Sequence, residues 1–158
     1  MFNFYGLIFV AVIMVPNVIF AIMHKGGFEN LYQNKIVEIF EQIGRIGSFI
    51  FMFINVPPLV KGYFFNGGFW AYIISGGALT LAYVFGWIVF RRESSVKKSL
   101  YLSVVPSLLF LCCGILSLNF PLMASAAVFA PCHVLISYKN AKAQVEKNKA
   151  EKGQAEKD

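Results

Sequence analysis

The stretch VEIFEQIGRIGSFIFMFINVPP, Val37 to Pro58, sets two glutamates and an arginine directly against a run that reads as a membrane span. Asn34, Glu38, Glu41, Arg45, Ser48, Met52 and Asn55 step by threes and fours, so on a helix they share one face. Glu41 and Arg45 are four residues apart in the order that favours an ion pair. An ionised group at bilayer depth is costly unless it meets protein, water or a partner. This face is therefore expected to point into a helix bundle.

The rest of the chain supplies that bundle. Of 158 residues, 58% are hydrophobic and only 14% charged, far too little polar surface for a soluble domain. Apolar runs of about 18 residues or more mark helices that cross a ~30 Å hydrocarbon core. Five are drawn here, at about 4–23, 46–65, 68–90, 100–118 and 121–138. Between the first two, Phe28, Leu31, Tyr32, Ile36, Ile39, Phe40 and Ile43 recur at helical spacing. They predict an amphipathic interfacial helix over about 28–43, continuous with the second span or bent against it. Pro57-Pro58 kinks or ends that span, and Pro121 opens the last helix. Residues 139–158 are polar all round and read as a charged tail, disordered or fraying from the fifth span. The expected fold is one all-α transmembrane domain, without internal repeats.

Basic residues orient it. With the N-terminus outside and the C-terminus inside, Lys61 is the only one of the 14 Lys and Arg residues on the outer side. The positive-inside rule therefore favours that orientation. The net charge of +6 is first a topology signal, matched to anionic lipid headgroups rather than to nucleic acid. The first span has no basic n-region and no small-residue cleavage site, so it is expected to stay as a span rather than be removed as a signal peptide.

Polar groups on three helices converge on the inner side. Asn17 and His24 lie on the first, Glu38, Glu41 and Arg45 on the second, and His133 and Tyr138 on the fifth. Such convergence is the pattern of a ligand site. Plainer readings stand beside it. Glu41 and Arg45 also suit an ion pair ending a helix, Asn17 and Asn55 an interhelical hydrogen bond, and His24 and His133 structural roles. Small residues on the third and fourth spans, such as Ala78, Ala82, Ser103 and Ser107, suit close helix packing. Cys112, Cys113 and Cys132 lack any metal-ligand spacing and read as small apolar residues. No phosphate-binding loop, dinucleotide fingerprint or zinc-protease motif occurs, and two histidines make a poor haem site. No cofactor or metal is expected.

At VPNVIFAI, EQIGRIGSFIF and APCHVLISYKN the chain resembles an uncharacterised family of small multi-spanning bacterial membrane proteins, over roughly residues 1–142. The resemblance implies a bacterial cytoplasmic-membrane setting and carries no activity onto any residue.

The function expected from these residues is binding of a small molecule or lipid headgroup at the inner leaflet. Arg45 would attract an anionic group, Glu38 and Glu41 would orient the arginine, and Asn17, His133 and Tyr138 would complete the site. One alternative is a membrane-embedded enzyme, with His133 as general acid or base on an inner-leaflet substrate. Another is an accessory subunit of a transporter or signalling complex. Membrane lipids are the expected surroundings, and a protein partner or self-association stays open.

Overall fold

The computed structural model describes residues 1–23, 31–90 and 95–155, with side chains through residue 149. Its five helices are α1 (Phe4–Met23), α2 (Lys35–Phe53), α3 (Gly68–Val89), α4 (Val96–Leu116) and α5 (Phe120–Ala155). Among the described residues there are no strands, only two isolated bridges. Four of the helices, α1, α3, α4 and the Phe120–Lys149 part of α5, are long and apolar enough to cross a bilayer. That is the mark of a multi-pass membrane protein.

Local chemistry sets the helix ends. Asn34 caps α2 through its side-chain oxygen, which accepts from the Val37 amide at 3.3 Å. Ser95 caps α4 in the same way at 3.3 Å from the Lys98 amide, and Asn119 accepts from Leu122 at 3.1 Å at the head of α5. Each satisfies an amide that the first helical turn leaves without a partner. Gly67, at φ 98°, supplies the left-handed turn before α3.

The helices form a closed ring in the order α1, α2, α5, α4, α3 and back to α1. Its registers are read from side-chain pairs. Along α2 and α5, antiparallel, Gly47 meets Ser125, Gly44 meets Phe129 and Glu41 meets His133. Along α1 and α3, parallel, Phe9 lies against Tyr72 and Gly76, Asn17 against Tyr83 and Phe20 against Trp87. Gly44 permits the closest of these approaches to a neighbouring backbone, since a Cβ there would sit 2.6 Å from the Phe129 amide nitrogen. Leu109, Phe110 and Cys113 of α4, fully buried, fill the middle with Ile13, Met52, Leu122 and Phe129. Large apolar side chains such as Ile19, Ile74, Leu81 and Phe85 face outward, as expected where lipid is the solvent.

Residues 54–67 differ from the sequence reading. The helix expected over 46–65 ends at Phe53, and the chain then crosses one end of the bundle. Pro57-Pro58 disfavours helix in the residues before it, and the backbone finds partners elsewhere. Lys61 donates to the Leu118 carbonyl at 3.2 Å and Phe64 to that of Leu116 at 3.0 Å. Phe120 in turn donates to Leu59 at 3.2 Å. Buried Asn119 locks this capped end, donating to the Phe51 carbonyl at 2.8 Å and to the Asn55 side chain at 3.3 Å. The opposite, basic end carries Lys35, Lys97, Lys98, Lys139 and Lys142.

Two further expectations change. The helix expected over 28–43 begins at Lys35, with residues 31–34 non-helical and 28–30 outside the described residues. It starts there because Asn34 takes the capping position, and it runs without a break into the second span, one of the two arrangements expected. The tail, expected to be disordered or to fray from the fifth span, is helical through Ala155. Alanine, lysine, glutamate and glutamine are strong helix formers, and Lys142 and Glu146 pair at 4.0 Å across one turn.

Candidate functional site

Glu41 is the centre of the polar site. Its side chain is 4% exposed, enclosed between α2 and α5. One oxygen, Oε1, accepts from Arg45 Nε at 3.0 Å, from Arg45 Nη2 in a closer contact, and from His133 Nδ1 at 2.8 Å. An ionised carboxylate only accepts, so Nδ1 carries the imidazole hydrogen and the lone pair of the neutral ring is on Nε2. Phe129, one turn back along α5, stacks on the imidazole with centroids 4.5 Å apart and planes at 21°. The ring is therefore fixed by a hydrogen bond at one edge and an aromatic face beside it.

The cluster is graded in exposure. Arg45 is 39% exposed in its side chain and His133 22%, against 4% for the carboxylate between them. Three polar atoms are left without hydrogen bonds among the described residues: Glu41 Oε2, Arg45 Nη1 and His133 Nε2. The guanidinium and the imidazole are thus partly exposed over a buried counter-charge. Deeper on the same face of α2 lies Ser48, fully buried, its hydroxyl without a hydrogen-bond partner.

The other candidate residues are distributed differently. Asn17 is held by its own neighbours, donating to the Ile13 carbonyl at 3.0 Å and accepting from the Tyr83 hydroxyl at 2.9 Å. The α1–α2 and α1–α3 registers put this pair level with Glu41, on the other side of the ring. Glu38 is half-buried one turn before Glu41. Tyr138 points away from the cluster, lining an apolar groove of about 520 Å³ between α4 and α5. His24 lies outside the described residues. So Glu41, Arg45 and His133 are brought together, while Asn17 and Tyr138 are not in contact with them.

Tyr83 and Phe129 were not anticipated as parts of this layer. Nothing in a sequence with 7 tyrosines and 17 phenylalanines marks either one. Only Phe129's position four residues before His133 offered a hint, since that spacing stacks side chains on a helix.

Among the described residues no three His, Cys, Asp or Glu side chains converge to hold a metal ion, and all three cysteines are free thiols. Comparison of the chain with protein-family models, with curated proteins and with solved structures gave no match.

Proposed function

We propose that the Glu41–Arg45–His133 cluster is a binding site for a small molecule or lipid headgroup at the inner leaflet, in a protein that crosses the membrane five times. The observation that carries this reading is the buried carboxylate with cationic and imidazole partners from two helices, both of them partly exposed. Ionic groups at such depth are expensive to keep without a use.

The placement of α2 supports a fifth span. Its outward residues are Ile36, Ile39, Ile43, Ile46 and Ile50, and its inward ones Glu41, Gly44, Ser48 and Met52. A helix lying on a water-facing surface has the reverse arrangement. The lysines of the basic end support a cytoplasmic position for the site. Arg45 engages the ligand through its free N–H edge, His133 through Nε2, and Glu41 fixes the orientation of both.

Native mass spectrometry from mild detergent tests the reading. A discrete bound mass on the wild type is expected to vanish from Arg45→Ala and His133→Ala while both variants keep their helical content. A bound mass retained by both variants would place the ligand elsewhere.

The fixed tautomer of His133 favours a second reading, an enzyme acting on an inner-leaflet substrate with Nε2 as general base. Turnover of a lipid substrate that His133→Gln abolishes while binding persists is its signature. Binding and turnover lost in equal proportion would count against it.

A further inference from the structure

The seam between α4 and α5 is closed on its inner side. Phe110 and Phe129 meet there with ring centroids 5.8 Å apart, and Gly114 lies against Leu122 and Met123. At the basic end the Ser99 hydroxyl donates to the Ser137 carbonyl at 2.8 Å. On the outer side the same two helices leave a groove of about 520 Å³. Its floor is made by small residues, buried Ser107 and half-buried Ala130. Ser107 turns its hydroxyl to the Ser103 carbonyl of its own helix at 2.7 Å. The rims are exposed Val104 and Leu108 of α4 and exposed Leu135 and Tyr138 of α5.

Lysines continue both rims. On α4, Lys97 stands at helical spacing before Leu100, Val104 and Leu108, and on α5, Lys142 follows Leu135 and Tyr138 in the same way. The Ser99–Ser137 bond puts Lys97 level with Lys139, and Lys142 lies one turn beyond. All three lysines are exposed. Lys142 also meets Glu146 at 4.0 Å, so among the described groups at this mouth the cations outnumber the carboxylate. From Leu100 to Leu111 the groove runs about 16 Å along α4 at 1.5 Å per residue, roughly half of a hydrocarbon core of about 30 Å. That is the depth of one leaflet.

We infer that the α4–α5 groove holds one acyl chain of an anionic phospholipid in the leaflet at the basic end, with Lys97, Lys139 and Lys142 around its phosphate. Bilayer chains are as apolar as the groove, so the exchange of one chain for another is driven by close packing alone. Selection therefore falls to the headgroup, and a basic pocket between transmembrane helices suits a net negative one. A zwitterionic lipid would bring its own cation against the lysines. The site is separate from the Glu41 cluster. His133 follows Pro131 by two residues, which turns it to the opposite face of α5, toward α2.

The test is native mass spectrometry of the full chain in a non-ionic detergent, titrated with dioleoyl phosphatidylglycerol or dioleoyl phosphatidylcholine. Their known masses set them apart from any co-purified ligand of the cluster. The wild type is expected to bind phosphatidylglycerol at least about tenfold more tightly than phosphatidylcholine. The combined Lys97→Gln, Lys139→Gln, Lys142→Gln variant, changed only at exposed positions, is expected to lose that preference. Val104→Trp, which fills the groove from its rim, is expected to weaken both lipids about tenfold. Leu81→Trp, exposed on α3, is expected to bind as the wild type does. Equal binding of the two lipids by the wild type overturns the anionic occupant, and a preference kept by the lysine variant overturns the mouth. Unchanged binding by Val104→Trp overturns the groove. A lipid-independent dimer that Val104→Trp abolishes makes a second copy of the chain the occupant instead. Loss of the preference in Arg45→Ala overturns the groove site by placing the lipid at the Glu41 cluster.

Discussion

Replacing Gly44 by alanine is the most direct perturbation of the α2–α5 seam. The added Cβ would lie 2.6 Å from the Phe129 nitrogen and 2.8 Å from its Cα, both backbone atoms of a helix that cannot swing aside. Comfortable carbon contacts begin near ~3.5 Å, so the two helices must part by roughly 1 Å. Overpacking of this kind costs about 1–3 kcal/mol. The Glu41–His133 hydrogen bond, one turn away at 2.8 Å, is stretched beyond its range by the same movement. A hydrogen bond to a charged group contributes about 1.5–3 kcal/mol, and the partial exposure of His133 puts this one at the lower end. Alanine returns about 1 kcal/mol of helix propensity. The net expectation is a loss of about 1.5–3.5 kcal/mol. Gly77→Ala is the matched control: nothing lies within 4 Å of its Cβ position, so it should gain about 0.5–1 kcal/mol. Reversible unfolding in mixed micelles measures both. If Gly44→Ala is as stable as Gly77→Ala, α2 does not pack on α5 in this register.

Three more substitutions probe the polar contacts. The Glu41→Gln, Arg45→Gln double variant should be destabilised by less than the sum of the two single changes, with a coupling energy of at least about 1 kcal/mol in a double-mutant cycle; additivity would show the pair to be energetically idle. Asn119→Ala removes the cap of α5 and strands the Phe51 carbonyl, so unfolding should show a loss of about 2–4 kcal/mol, and a loss below that range would mean the 54–67 segment is not locked there.

Apolar run length located α1, α3 and α4 because charged or glycine-rich stretches interrupt the runs between them. It misplaced the end of α2, since INVPPLVKGYFF is as apolar as a span but is backbone-paired across the bundle end. Hydropathy records the medium a residue prefers, and a packed capping segment shares that preference with a helix. The Glu41–Arg45 pair was legible because its partners are four residues apart on one helix. His133 was legible as a candidate because a histidine within an apolar run is conspicuous. Its contact with Glu41 across 92 positions was not, since it depends on the register that Gly44 and Gly47 allow. Nothing in the short SLNFP stretch marks Asn119 for its part in joining three segments.

The length of α5 has a mechanical consequence. Its 36 residues extend about 54 Å at 1.5 Å per residue, so a good third of the rod stands beyond a hydrocarbon core of about 30 Å. Pro131 lies within the rod two residues before His133 and about 36 Å from Ala155, and its missing amide hydrogen bond makes it the softest point there. By that length, a bend of roughly 10° at Pro131 sweeps the tip through about 6 Å. The helix is a lever with its fulcrum beside the polar cluster, and its long arm makes a displacement too small to see at the imidazole large enough to measure between labels at the far end.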